Sequence, residues 1–211
     1  MIKLIFSIVL FSLNIYSSQI IYTSEFIDVE RKIVVKDSSI IIDNGIVSSI
    51  EKGFIKVDKD YSVIDLRGYS VMPGLMDMHV HFGQEYKSKA ERPIKIERET
   101  EAILATAHAD ITLKSGFTTV RQVGDSGFVS ISLRDAIADG SVNGPRIFTS
   151  GKSIATTGGH ADPTNGKSID DYDHPTPEQG VINGPYEAYT AVRQRYKDGA
   201  DGIKLTVTGG V

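Results

Sequence analysis

The spacing of hydrophobic and polar residues divides this chain into a strand-rich first part and a second part in which strands and helices alternate. In the first part, β-branched residues form short runs at positions 33–35, 39–42, 46–50 and 63–66. Such runs are typical of strands, and Asn44 with Gly45 is a common tight-turn pair between two of them. We therefore predict a small antiparallel β module over residues 19–70.

Beyond residue 97 the pattern alternates between the period of a helix and the period of a strand. Helices are predicted over residues 97–115, 129–139 and 185–198, and strands over 73–82, 117–123, 145–150 and 202–207. In the first of these helices, the buried face is predicted to consist of Ile103, Leu104, Ala107 and Ile111. Strands that alternate with helices predict a parallel sheet, open or closed into a barrel, whose chemistry lies at the carboxyl ends of the strands.

The first of these strands ends in two histidines, His79 and His81. Because side chains alternate along a strand, both imidazoles should lie on one face. Two adjacent imidazoles are well suited to a shared metal ion, although a bare His-x-His pair also occurs as surface or core histidines. The chain has no cysteine, so a metal here would need nitrogen and oxygen ligands.

Lys204 is unusual because it lies in an apolar strand, opposite the face of Ile203 and Leu205. A buried lysine must be paired, neutral or chemically modified. It could reach the rim or pair with Asp201, or its amine could add carbon dioxide to form a carbamate. A carbamate is an anionic, two-oxygen group that could bridge two metal ions.

A third candidate residue, His160, follows two glycines in the long polar loop over residues 151–184. Glycines let the backbone approach a ligand closely, so His160 is a candidate to bind a substrate carbonyl or carboxylate, or else a loop histidine without a role. Asp125 and Asp162 are placed at the rim, and His108 and His174 receive no role.

Charge and the amino terminus narrow the classes of function. The 211 residues carry a formal net charge of −4 without a run of Lys or Arg, so a nucleic-acid partner is not expected. Residues 1–18 combine Lys3, an apolar run over 4–15 and small serines. This predicts a signal peptide and an exported protein, periplasmic or secreted, with a buried strand as the alternative. No integral membrane segment is predicted to remain after cleavage.

Three stretches resemble a known family: residues 73–81, 156–163 and 201–211. The first is similar to the metal-binding opening of the amidohydrolase superfamily. Together with the other two, it resembles the imidazolonepropionase-like branch that includes metal-dependent Xaa-Pro dipeptidases, or prolidases. The resemblance covers approximately residues 30–211.

The resemblance implies a (β/α)₈ TIM barrel together with a β-sandwich built from both chain ends, of which residues 19–70 would be one portion. Residues 71–211 would be the first four βα units, so the chain would be the front half of a longer protein, unstable and inactive alone. It also implies two divalent metal ions, usually zinc, with His79 and His81 on one ion and carboxylated Lys204 bridging both. His160 would bind substrate, and a catalytic aspartate would lie beyond residue 211.

The implied reaction is hydrolysis of the amide bond of dipeptides or N-acyl amino acids through a metal-bridging hydroxide. One alternative is a mononuclear deaminase or an imidazolonepropionase-type hydrolase of cyclic amides, neither of which uses a bridging lysine. Another is a non-catalytic, truncated remnant. The substrate would be a small molecule or dipeptide, whereas its side-chain preference and any homo-oligomer stay open.

Overall fold

The structure is a computed structural model of the chain and describes residues 18–56, 61–83, 97–125, 127–168, 170 and 172–209. The predicted signal peptide over 1–18 lies outside the described residues except for its last position. The chain divides into two compact units, Met1–Pro73 and Gly74–Val211. None of the helices in the described ranges is long and apolar enough to cross a membrane.

The first unit contains a four-stranded sheet with the strand order β3-β2-β1-β4. Its strands are β1 (Gln19–Asp28), β2 (Ile33–Asp43), β3 (Ile46–Lys52) and β4 (Ser62–Val71). Strands β1, β2 and β3 are antiparallel as predicted, but β4 runs parallel to β1, so the prediction of a wholly antiparallel module was wrong. Asn44 and Gly45 both have positive φ, 53° and 76°, as a type I′ turn requires.

Two separate β-branched runs of the sequence form one strand in this unit. The runs at 33–35 and 39–42 are parts of the single strand β2, which pairs continuously with β1 through Ser38 and Ser39. Both serines are fully buried, and the Ser39 hydroxyl donates to the Gly53 carbonyl at 2.7 Å. Because the buried positions are polar here, the apolar pattern breaks although the strand continues.

The second unit has a mixed α/β fold in which strands and helices alternate. In chain order it contains β5 (Leu75–Val80), α1 (Arg98–Lys114), β6 (Phe117–Gln122), α2 (Val129–Ala138), β7 (Arg146–Thr149), β8 (Ile154–Thr156), β9 (Val181–Ile182), α3 (Pro185–Asp198) and β10 (Leu205–Thr206). They form two three-stranded sheets, β5-β6-β7 and β10-β8-β9, and all of their pairings are parallel. The mixed α/β class agrees with the sequence, whereas the closed barrel and the sandwich stay predictions.

The core of this unit lies between the β5-β6-β7 sheet and helices α1 and α2, which pack over Val120 and Ile147. The predicted apolar face of α1 was wrong, because Ile103 is 70% exposed while Ala105 and Ala109 are fully buried. Small alanine side chains let the helix axis approach the strands closely, so helix α1 buries its small residues and exposes larger ones.

The predicted loop over 151–184 is not wholly irregular, since it contains β8 and β9. These strands have three and two residues, which is too short for an alternating pattern to be recognised. Strand β8 pairs with both β10 and β9. As a result, the end of β10 and the segment leading to His160 lie side by side.

Candidate metal and substrate site

A cavity of about 490 Å³ in the second unit brings the four predicted site residues together. His79, His81, His160 and Lys204 all line it, although they come from three separate stretches of the chain. Other lining residues include Arg98, Asp125, Lys152 and Thr206. The juxtaposition is a fact of the structure, whereas the metal-binding and substrate-binding roles of these residues stay predictions.

The two histidine rings lie next to each other at the end of β5. Their centroids are 5.2 Å apart with an interplanar angle of 64°, and the backbone N–H of His79 donates to the Asp77 carboxylate at 2.9 Å. Period-two alternation thus places both rings on one side, as expected. The apolar face behind them is only partly buried, since Met76 is 67% exposed.

The tautomer of His81 follows from its hydrogen bond. Its Nδ1 lies 3.0 Å from the carbonyl oxygen of Gly124. A carbonyl can only accept, so Nδ1 carries the proton and Nε2 keeps a lone pair, which is the arrangement of most metal-bound histidines. Gly124 has φ of +122°, and a Cβ there would lie 2.5 Å from the Ser153 hydroxyl, so this turn requires glycine.

Two further residues, Gln122 and His108, hold the backbone next to His81. The Gln122 side chain is 1% exposed, accepts the N–H of Phe82 at 2.9 Å and donates to the Gly124 carbonyl at 3.0 Å. On the other side, Nδ1 of His108 lies 2.7 Å from the Phe82 carbonyl. Sequence analysis did not single out Gln122, for which the available signal was a polar side chain at a buried position of β6. It gave His108, on α1, no role.

Replacing Gln122 with leucine should lower the free energy of unfolding by about 1–3 kcal/mol, because the buried N–H of Phe82 loses its acceptor. Chemical denaturation of the full-length protein measures this change. Gln194→Leu on α3 is a matched control, since that side chain is only partly buried and bonds Asp198, and it should change stability by less than about 0.5 kcal/mol. Equal stability of the two variants would show that the Gln122 contacts contribute nothing.

The charges around the histidines favour a neutral imidazole at His79. Partial burial, followed by the nearby cation of Lys204, lowers the pKa of His79, and Asp77 opposes that shift. Asp125, which the sequence placed at the rim, is half-buried, and burial raises the pKa of its carboxyl. Its Oδ2 accepts the backbone N–H of Ser130 at 2.6 Å, whereas its buried Oδ1 has no hydrogen-bond partner in the described part of the chain.

Lys204 is half-buried and lies on the cavity side together with Thr206. The alternative of an ion pair with Asp201 is not seen. The Asp201 carboxylate instead accepts from Arg134 at 2.9 Å and from the backbone N–H of Thr149 at 2.8 Å. Within the described ranges, no carboxylate pairs with the Lys204 amine, so the amine is available for another partner or for modification.

His160 lies in a loop that is stabilised by hydrogen bonds between its own residues. Asp162 is 7% exposed and accepts hydrogen bonds from the backbone of Gly158 and from Thr164, which lower the pKa of its carboxyl. The backbone N–H of His160 donates to the carbonyl of Thr208 at 3.0 Å. Asp162 therefore organises the loop, and the segment that follows β10 fixes the place of His160.

The donor atoms present fit part of a metal site. In the portion of the chain that the structure describes, no group of three or more His, Asp, Glu or Cys side chains could hold a metal ion. The set consists of His79 and His81, with Lys204 as a source of oxygen ligands after carboxylation. Imidazole nitrogen and carbamate oxygen are ligands that suit zinc.

Solved structures resemble the chain over nearly its whole length. A crystal structure of a Xaa-Pro dipeptidase with bound methionine in its active site is 68% identical, with a TM-score of 0.89, over 92% of this chain and 48% of that chain. A crystal structure of a prolidase complexed with N-methylphosphonate-L-proline is 29% identical, with a TM-score of 0.74, over 90% of this chain and 46% of that one.

Sequence comparison finds a further similar protein. The ochratoxinase of Aspergillus niger is 28% identical over 155 residues, which are 67% of this chain and 32% of that protein. The chain therefore spans about half the length of the solved relatives, and less of the ochratoxinase. The sequence model of the amidohydrolase family matches residues 70–211, and so the chain belongs to the amidohydrolase family, as its motifs predicted.

Proposed function

We propose that the full-length protein is a metal-dependent hydrolase of amide bonds that acts on Xaa-Pro dipeptides or related N-acyl amino acids. The observation that carries this proposal is the meeting of His79, His81, Lys204 and His160 at one cavity. The similarity to a Xaa-Pro dipeptidase and to a prolidase supports the choice of substrate.

His79 and His81 would hold one divalent ion, with zinc as the best match to their nitrogen donors. His81 would use Nε2, since the Gly124 carbonyl holds the proton on Nδ1. After losing one proton, the Lys204 amine would attack carbon dioxide, forming an N–C bond and releasing a second proton to give a carbamate. This anion would connect the first ion to a second one.

When bound, such a pair of ions lowers the pKa of water toward neutrality and polarises a carbonyl oxygen. The chain's own residues then orient the substrate. His160, presented by the Asp162-supported loop, would donate a hydrogen bond to the substrate carbonyl or carboxylate.

We also propose that the protein is exported and that residues 1–18 are removed. The motivation is the positive start and apolar run described above. N-terminal sequencing of the mature protein tests this, and an intact Met1 in the exported fraction would contradict it.

The proposed reaction is tested with the zinc-loaded full-length protein and a panel of dipeptides with proline in second position. We expect release of free proline, loss of activity on treatment with a chelator, and recovery when zinc is restored. Cyclic imidazolones and aminated heterocycles serve as the comparison substrates of the alternative reactions. Hydrolysis of those compounds without any release of proline would overturn the proposal.

A further inference from the structure

The cavity that contains His79 and His81 also carries two cations that the proposed metal chemistry does not use. Lys152 lies between β7 and β8, and Arg98 is the first residue of α1. Both line the cavity. Neither side chain forms an ion pair with a carboxylate anywhere in the described ranges of the chain.

The backbone of Lys152 forms a hydrogen bond with a buried arginine. Arg195, which is 3% exposed, donates to the Lys152 carbonyl at 3.3 Å and to the Glu178 carbonyl at 2.5 Å. It also forms an ion pair with Asp198 at 3.3 Å. The backbone of Lys152 is therefore anchored to α3, which limits the positions that its side chain can reach.

Cationic side chains outnumber carboxylates around Lys152. Burial lowers the pKa of Lys152, the cations of Arg195 and Arg98 lower it further, and Asp125 opposes the shift. Asp125 is the only carboxylate among the described residues that line the cavity, and one of its oxygens is already bonded to the start of α2. Three cationic side chains, Arg98, Lys152 and Lys204, thus face one carboxylate.

The loop after β6 lies next to the guanidinium group of Arg98. Gly127 has φ of +81°, and a Cβ at this position would lie 3.5 Å from the guanidinium carbon of Arg98. The guanidinium therefore rests against a backbone without a side chain. Planar guanidinium groups present paired N–H donors that match the geometry of a carboxylate.

We propose that Lys152, with Arg98 beside it, binds the free carboxylate of the substrate, so that the enzyme selects amides of amino acids with an unblocked carboxyl group. This inference rests on the proposed function, because it assigns a subsite within the same cavity. The subsite would hold the amino-acid half of the substrate while His79, His81 and Lys204 serve the scissile amide. Its ligand class is a carboxylate anion.

The test uses the full-length, zinc-loaded protein with an Xaa-Pro dipeptide and the matching dipeptide amide. Loss of one hydrogen bond to a charged group corresponds to about 10- to 100-fold. Lys152→Met should therefore raise KM for the dipeptide by that factor and leave the amide unchanged. Lys152→Arg should keep most of the preference for the free acid. Lys197→Met on the exposed surface of α3 is the matched control and should behave as the natural protein.

Calorimetric binding of L-proline and L-prolinamide separates this inference from the proposed function, because it needs no hydrolysis. The natural protein should bind L-proline more tightly, and Lys152→Met should remove the difference. If L-proline is preferred through Lys152 but no dipeptide is hydrolysed, the carboxylate subsite stands and the proposed reaction fails. If Lys152→Met, folded by circular dichroism, keeps the preference for the free carboxylate, the subsite is refuted.

Discussion

Replacing Lys204 with alanine in the full-length protein should lower kcat by about 10²- to 10³-fold or more and should remove one of two bound metal ions. A metal ion supplies several kcal/mol of charge stabilisation in the transition state, and each 1.36 kcal/mol is about tenfold in rate. The amine of Lys204 lies on the same cavity as His79 and His81. Asp125 is the only carboxylate in the described lining, and its Oδ2 already accepts the backbone N–H of Ser130.

Two further variants distinguish a carbamate from a simple cation at this position. Lys204→Arg keeps the positive charge but does not form a carbamate, so we expect it to be as inactive as Lys204→Ala. A short carboxylic acid such as propionate should partly restore Lys204→Ala by supplying two oxygen ligands. Lys167→Ala is the control, because that side chain contacts the Tyr172 ring and does not line this cavity. An active Lys204→Arg protein would show that Lys204 acts only through its charge.

The second large effect is expected at the histidines. Substituting either His79 or His81 with alanine should weaken binding of the first ion by more than about 100-fold, since removing even an outer partner of a ligand costs roughly 10- to 100-fold. The bound metal should fall from about two ions per chain to one or fewer. The physical reason is that the two adjacent rings, 5.2 Å apart, each present a nitrogen to the cavity.

Elemental analysis after dialysis against a zinc buffer measures this loss. His174→Ala is a suitable control, because His174 lines a different cavity, formed by the polar loop. Its metal content should equal that of the natural protein. Unchanged zinc in both His79→Ala and His81→Ala would show that these rings are not ligands.

The sequence predicted four of the residues that line the cavity, His79, His81, His160 and Lys204, because each stands out from the residues around it. His79 and His81 share a face through the period of a strand. Lys204 is a charge within the apolar strand predicted over 202–207, and in the structure it lies directly before the shorter β10. The helix over 185–198 matches α3, since Pro185 at its start and Gly199 at its end are strong signals. Gly199 has the left-handed conformation at the helix end, with φ of 86°.

Other features depend on contacts between distant residues, and local patterns cannot show those. Gln122 and His108 hold the backbone beside His81 through bonds across 40 and 26 positions. The parallel pairing of β1 with β4 is equally non-local. The buried face of α1 was misread because close packing selected Ala105 and Ala109 over the larger apolar residues that hydrophobicity favours.

The claim that two imidazoles and one lysine serve a shared metal centre is tested most directly by anomalous X-ray scattering at the zinc edge from crystals of the full-length protein. The account predicts one zinc ion about 2.0–2.1 Å from nitrogens of His79 and His81, a second zinc ion nearby, and a carboxylated Lys204 that contacts both. Zinc ions located elsewhere, with an unmodified Lys204 amine and no metal at these two histidines, would contradict it.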